Sequence, residues 1–359
     1  MNVSKAVIFA REPGASATHV PVSAGRFRRR LVVPALASLA NRPLIRHALD
    51  WLDDCGVRDV AIVVPEGMAS EVRSAAGEHA SWRFHAHWLQ QLPGERFLES
   101  LCALHDFLEG EPFMLHLADT LAKHDLQSLV GQGAPADDEA LLLVPESPAG
   151  ELSRVTQLRA PRRSGGFTGV SEMLTGVAVI GAAIGEASGA LDAFPHCGLE
   201  AVAERVCELG GRVRTQIAPG CWRFRAGTDA LLEGNRFALE GMMADYDEAT
   251  VSDADIQGAV VADRTAHIES SVVRGPVIIG AGARLRDAYV GPYTSIGRDV
   301  LIEGAEVEHS IVMPEASIRH LAGRLEASVV GARAQVIRDF RLPRALRLNV
   351  GEDAEVSLA

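Results

Sequence analysis

The sequence predicts an open α/β sheet domain over residues 1–240 followed by a parallel β-helix over residues 241–359. The β-helix is announced by an aliphatic residue that recurs from Ile279 through Leu285, Val290, Ile296, Ile302, Val307, Val312, Ile318, Leu325, Val330 and Val336, in steps of 6, 5, 6, 6, 5, 5, 6, 7, 5 and 6. Such steps are too regular for a loop and too short for helical repeats. They suit stacked rungs, in which no single rung buries its apolar residues but a stack does. Small residues beside the aliphatic ones, as in Ile279-Gly280, Val290-Gly291, Ile296-Gly297 and Val330-Gly331, let the chain turn each corner. A β-sandwich with closely spaced strands is the alternative. The α/β domain is announced by a strand–helix–strand spacing near the N-terminus, taken up next.

Ala6–Ala10 reads as a short buried strand. Pro43 opens a helix whose Leu44, Ile45, Ala48, Leu49 and Leu52 share one face, and Gly56 is placed to end it. Val60–Val64 is the next strand, stopped by Pro65. This is a βαβ unit, which implies parallel pairing with a right-handed crossover. Further strands are expected at Phe113–Leu117, Ala140–Val144, Gly176–Ile180 and Arg212–Ile217, and a helix near Phe97–Leu108. Open α/β sheets place ligands at the carboxyl ends of their strands. Thr228–Asp245 reads as a helix joining sheet to β-helix without a flexible linker, so rigid coupling of the domains is expected.

At 359 residues the chain exceeds the ~250–300 at which single cores stop growing. A net charge of -12 argues against nucleic acid or a membrane surface as partner. No apolar run approaches the ~18 residues of a membrane span, and the N-terminus lacks a signal-peptide core. Five scattered cysteines without a CxxC suit reduced thiols, and the expected location is cytoplasmic. Of the 35 basic residues only Lys5 and Lys123 are lysines. An Arg where a Lys is expected therefore carries little meaning in this chain.

Ala40-Asn41-Arg42-Pro43-Leu44-Ile45, Phe113–Thr120, Cys221–Leu239, Val290–Ile296 (VGPYTSI), Gly275–Ile279, Glu308–Ile311 and Leu342–Gly351 form a set of stretches with a shared likeness. Together they resemble the sugar-1-phosphate nucleotidyltransferases, in the long form of glucose-1-phosphate thymidylyltransferase. The resemblance covers essentially the whole chain and is strongest in its C-terminal part. It implies a doubly wound, Rossmann-like nucleotidyltransferase domain and a left-handed coil for the β-helix. It also implies a reaction in which a sugar-1-phosphate attacks the α-phosphorus of a nucleoside triphosphate and pyrophosphate leaves. That chemistry needs cations around the triphosphate, Mg²⁺ held by carboxylates, and a backbone close to the phosphates.

The family's motifs fall on this sequence only in part. Its glycine-rich phosphate loop falls near Arg11-Glu12-Pro13-Gly14, where proline offers no N–H and Glu12 would repel phosphate. A register change brings Gly25-Arg26-Phe27-Arg28 over the motif, which makes Arg26 and Arg28, within the Arg26–Arg30 cluster, the candidate catalytic cations. A solvated basic run is the plainer reading. The family's phosphate-binding Lys falls on Pro34, and its Glu-Lys-Pro sugar-phosphate motif on Arg159-Ala160-Pro161. Gln91 matches the base-reading Gln, with Arg96 in place of a nearby glycine, and a loop Gln is its bland reading. Asp119 matches the first metal-binding Asp, with a helix N-cap as the structural alternative. The second metal ligand falls on Phe224, which cannot coordinate Mg²⁺; at Arg223 an Arg stands for Lys and is set aside as compositional.

Removing one positioned donor or charge from such a site costs ~10²–10³ in rate, and four are changed here. Such losses need not multiply. The expectation is a nucleotidyltransferase-like protein that has lost catalysis and acts as a binding, regulatory or assembly subunit. Its partners would be a nucleotide or sugar nucleotide, and copies of itself or an active paralogue. An excess of β-helix valines and isoleucines (Val272, Val273, Val277, Ile311, Val312, Val329 and Val330) argues for association. Two alternatives stay open. One is an active Mg²⁺-dependent enzyme for an unusual sugar-1-phosphate. The other is a hexapeptide acyltransferase using His267, His309 or His320 as base.

Overall fold

The computed structural model describes residues 3–10, 33–77, 82–92, 95, 97–123, 135–145, 174–185, 198–225, 227–246 and 249–338. The chain divides into two compact units. One takes the N-terminal strand, Val33–Ser38 and Arg42–Arg225; the other takes Leu39–Asn41 and the residues that follow Arg225.

The first unit is built on a seven-stranded sheet. Its spatial order is Arg212–Ala218, Glu139–Pro145, Val177–Ile180, Phe113–Leu117, Lys5–Phe9, Asp59–Pro65 and His85–Gln91. All neighbours are parallel except Val177–Ile180, which runs antiparallel to the strands on both its sides. Side chains alternate between the two faces of a strand, and the sheet uses both. Val7, Phe9, Ala61 and Val63 pack under helices Phe97–Cys102, His105–Leu108 and Leu199–Glu208. Ala6, Ile8, Val60 and Ile62 pack under helices Leu44–Asp54 and Ala69–Ala76 on the other face. The domain is therefore doubly wound, as the βαβ spacing and the resemblance require.

Most anticipated elements stand within a residue or two of their expected bounds. The helix expected near 97–108 is two short ones, Phe97–Cys102 and His105–Leu108. The strand His85–Gln91 and the helices Ala69–Ala76 and Leu199–Glu208 went unanticipated. His85–Gln91 lies at a sheet edge with most of its residues at least half-exposed, so it needs no continuous apolar run. The helix expected over 228–245 stops at Leu239, followed by Gly241 in the left-handed region at φ +85°. Asp245 instead forms a parallel bridge with Val261.

The second unit is the β-helix. Its strands form three parallel sheets of six, five and five strands. Register partners such as His267↔Arg284 and Ile279↔Ile296 lie one three-strand rung of 17 residues apart. Regular three-strand rungs of this size fit the left-handed form. Nine of the eleven recurring aliphatics are buried in the prism, while Leu325 and Val336 on the last rungs are half-buried. The outer surface carries ion pairs between rungs, among them Arg286 with Glu269 and Glu303, and Arg324 with Glu306 and Glu308. One expectation needs correction. Val273, Val277, Ile311, Val312 and Val330 are buried within the chain itself, and Val272 and Val329 are half-buried. None of these seven residues is exposed, so they do not form the apolar face on which the expectation of self-association was based.

Candidate functional site

The carboxyl ends of the central strands meet at Ala10 and Ala118. Each continues the ladder one residue past its strand, Ala118 donating to the Phe9 carbonyl and Ala10 to that of Val63. Asp119 follows, in a tight turn between the strands Phe113–Leu117 and Thr120–Ala122. No helix starts there, so Asp119 is not a helix N-cap. Thr120–Ala122 pairs antiparallel with Cys221–Arg223, which sets Arg223 opposite Thr120.

That pairing delivers a cation to Asp119. Arg223 Nε donates to Asp119 Oδ2 at 3.0 Å, with the two side chains 11% and 13% exposed. The hydroxyl of Thr120 lies within hydrogen-bond distance of Asp119 Oδ1 (3.2 Å) and of the Thr175 carbonyl (2.5 Å). It has one proton to give, and the shorter contact is to Thr175. Gly176, at φ +86°, closes the turn from the adjacent strand. A Cβ there would fall on Thr120 Oγ1, and at 3.4 Å from Asp119 Oδ1. Phe224 lies where the motif alignment put it, its N–H donating to the Asp119 carbonyl at 2.8 Å. Its side chain is buried and tilts against Trp222 with ring centroids 6.2 Å apart. Alternation along the strand explains this: Trp222 and Phe224 share one face and Arg223 takes the other.

Mg²⁺, which the resemblance implies, does not fit these residues. A hard dication needs several oxygen ligands, in practice carboxylates and water. Asp119 supplies one carboxylate, already engaged by a guanidinium, and Phe224 supplies none. Among the described residues no three His, Cys, Asp or Glu side chains converge on a point that could hold a metal.

The other anticipated site residues are placed as follows. Gln91 ends the edge strand and is 9% exposed; its amide nitrogen donates to Ser100 Oγ (3.1 Å) and the Glu95 carbonyl (3.2 Å). Pro34 begins a single 3₁₀ turn, Pro34–Leu36, and its own ring offers no cation at the position of the family's lysine. Arg26, Arg28, Arg96 and Arg159–Pro161 lie outside the described residues. His267 and His320 are exposed, and His309 packs edge-on against Tyr293. The described cysteines Cys55, Cys102, Cys207 and Cys221 are reduced thiols, outside any disulfide. Burial pushes Cys102 and Cys207 upward and Cys221 to about 11, which makes them poor nucleophiles.

Arg223 is the residue that sequence reasoning missed. A compositional bias explained its identity and so concealed its position. The signal was available in the strand pattern, which turns Arg223 away from Trp222 and Phe224 and toward whatever precedes Thr120.

A second polar cluster, in the β-helix unit, explains what the best-matched motifs do. Asn235, fully buried on the helix Thr228–Leu239, accepts from the Ala40 N–H at 3.0 Å and the Ser295 hydroxyl at 2.6 Å, and donates to the Tyr293 carbonyl at 3.0 Å. Asn41 donates to the Ile296 carbonyl at 2.7 Å. Ala40 and Asn41 both hold positive φ, at 46° and 61°. Three of the stretches that carry the resemblance thus converge on one satisfied network. They report scaffold, whereas Asp119 and its surroundings would report chemistry.

With the doubly wound sheet, the three-sided parallel β-helix and the acidic turn at the strand ends described, the chain proves similar in sequence to nucleotidyltransferases that act on sugar phosphates. Similarity to particular members runs nearly end to end. It is 29% identical over 335 residues to a glucose-1-phosphate thymidylyltransferase of Streptomyces griseus, covering 90% of this chain and 93% of that one. The corresponding enzyme of Streptomyces antibioticus is 27% identical over 335 residues, with the same coverage. The low-salt glycan biosynthesis nucleotidyltransferase Agl11 of Haloferax volcanii is 26% identical over 337 residues, again with 90% and 93% covered. No family model matches the chain. The inositol-1-phosphate CTP transferase structure from T. maritima superposes with a TM-score of 0.48 at 14% identity, over 67% of this chain and 98% of that one.

Proposed function

We propose that this chain is a sugar-phosphate nucleotidyltransferase-like protein that has lost catalysis and works as a binding, regulatory or assembly subunit. The observation that carries the reading is Phe224. Its backbone is bonded to Asp119, where the resemblance expects the second metal ligand, yet its side chain is an apolar ring packed on Trp222. A phosphoryl-transfer site depends on electrostatic stabilisation and positioning, and a phenyl ring at a ligand position supplies neither. Arg26, Arg28 and Gln91 remain the residues proposed to meet a nucleotide or sugar nucleotide if the site keeps one. The intact Asn235 network fits a scaffold kept for assembly.

Two experiments test the two halves. Turnover tests the loss of catalysis and is set out at the end of the Discussion. Sedimentation of the purified chain at micromolar concentration, alone and mixed with a nucleotidyltransferase paralogue that has an intact glycine-rich loop, tests the subunit role. A mixed species heavier than either component is expected. A 38.3 kDa monomer unchanged by the paralogue would contradict it.

A further inference from the structure

We propose that the hairpin Ser38–Pro43 is a latch. Its tip, Ala40-Asn41, is held by the β-helix unit, and that hold makes the two units of the chain unfold as one cooperative body. The inference stands whether the chain has kept catalysis or lost it. The backbone belongs to the α/β unit as far as Ser38, to the β-helix unit for Leu39–Asn41 alone, and to the α/β unit again from Arg42. Ser38–Leu39 pairs with Arg42–Pro43 across a two-residue connection. Both residues of that connection have positive φ, 46° and 61°, as a type I′ turn requires. Asparagine tolerates this conformation, but alanine does not, because its Cβ crowds the following carbonyl oxygen.

A pair of two-residue strands is too short to keep a strained tip by itself. What holds the tip comes from the β-helix unit. Asn235 accepts the Ala40 N–H at 3.0 Å, and the Asn41 amide donates to the Ile296 carbonyl at 2.7 Å. Asn235 is in turn anchored by the Ser295 hydroxyl and the Tyr293 carbonyl, and is fully buried. Leu39 and Ala40 are buried with it. The base of the hairpin is tied into the α/β unit, where the N–H of Leu44, first residue of the helix Leu44–Asp54, donates to the Ala37 carbonyl at 2.8 Å. Released from Asn235 and Ile296, the tip relieves its strain; while they hold it, it cannot relax until the β-helix opens. A ligand or partner that stabilises either unit therefore stabilises both.

The two units carry different chromophores. All four tryptophans belong to the α/β unit, and all three tyrosines, Tyr246, Tyr289 and Tyr293, to the β-helix unit. Urea unfolding of the full-length chain is followed by tryptophan fluorescence and by second-derivative tyrosine absorbance on the same samples. The two midpoints are expected to coincide. In Asn235→Ala they should separate by ~0.5 M or more, with the tyrosine signal leading. Ser295→Ala, which keeps both bonds to the tip, should move them together. Asn41→Gly keeps the positive φ and strands no group, since the Ile296 carbonyl still accepts from the Gly280 N–H. It too should separate the midpoints, and it decides the matter should Asn235→Ala fail to fold. Midpoints that already differ in the unaltered chain overturn the proposal. So do midpoints that coincide in a folded Asn235→Ala, or that Ser295→Ala separates as far. Pyrophosphate release, whichever way it comes out, leaves this inference untouched.

Discussion

Breaking the Asp119–Arg223 pair from either side should destabilise the α/β unit more than removing both partners together. The two side chains are 13% and 11% exposed and meet at 3.0 Å, which places the pair nearer the buried than the surface regime. Truncating one partner of a buried pair costs ~3–5 kcal/mol, because a charge is left without compensation, whereas exposed pairs are worth ~0–1 kcal/mol. With residual exposure discounted, Arg223→Met should cost about 2–4 kcal/mol and Asp119→Asn about 1–3 kcal/mol. The double variant leaves neither member of this pair facing a lost partner and should cost less than the two single variants together, with a coupling of about 2 kcal/mol. All four tryptophans, Trp51, Trp82, Trp88 and Trp222, lie in this unit, so tryptophan fluorescence during urea unfolding reads it without the β-helix. At a slope of ~3 kcal/mol per molar urea, the single variants should lower the midpoint by roughly 0.5–1 M. Single-variant losses that simply add in the double variant would show that the two groups are neighbours without being partners.

Three further outcomes follow from other parts of the structure. Asn235→Ala leaves the Ala40 N–H, the Ser295 hydroxyl and the Tyr293 carbonyl without a partner; at ~1–3 kcal/mol for an orphaned buried group, with water recovering some, it should cost about 2–4 kcal/mol, and an unchanged β-helix melting temperature by circular dichroism would argue against the network. Gly176→Ala adds a Cβ onto Thr120 Oγ1 at a positive φ, where left-handed backbone alone costs ~1–2 kcal/mol, so a loss of roughly 2–3 kcal/mol is expected and a neutral variant in urea melts would refute the packing of the turn. His116 is fully buried against Trp51 with neither ring nitrogen in a well-formed hydrogen bond, and burial, opposed by the Leu117 backbone, holds its pKa at about 4, against 6.5 for a free imidazole. The unfolded chain therefore takes up the proton first, so stability is full above about pH 6.5 and falls as pH drops toward 4, by up to ~1.4 kcal/mol per unit; His116→Leu should flatten that limb, and an equally steep fall in the variant would place the acid sensitivity elsewhere.

Periodicity carried most of the fold. The hexad steps are set by what one rung can enclose, so Ile279 through Val330 could be assigned to an interior from the sequence, and the short continuous apolar runs did the same for the central sheet strands. Elements at the margins were harder to read. His85–Gln91 is an edge strand on which His85, His87 and Gln90 are exposed, and the helix ending at Leu239 runs on into Met242-Met243-Ala244, residues of good helix propensity. At the site, residue identity was readable where chemistry forbids a role, as with Phe224. It failed where a role depends on direction. In the sequence, strand alternation only turns Arg223 away from Trp222 and Phe224; the pairing of Thr120–Ala122 with Cys221–Arg223 is what aims it at Asp119. The valine excess failed for a related reason, since counting aliphatics says nothing about which face of each three-residue strand they occupy.

The central claim is that a nucleotidyltransferase scaffold has been retained while its metal-dependent chemistry has gone. Continuous measurement of pyrophosphate release tests it most directly, using the purified chain with glucose-1-phosphate, saturating Mg²⁺ and dTTP or UTP in turn. The account predicts no release above a blank without protein, and none from Phe224→Asp, because Pro34 still stands where the family's phosphate-binding lysine would be. Mg²⁺-dependent release approaching the ~10 s⁻¹ common among enzymes would contradict it, and would mean that Arg26 and Arg28 assemble a working phosphate site despite the ion pair at Asp119.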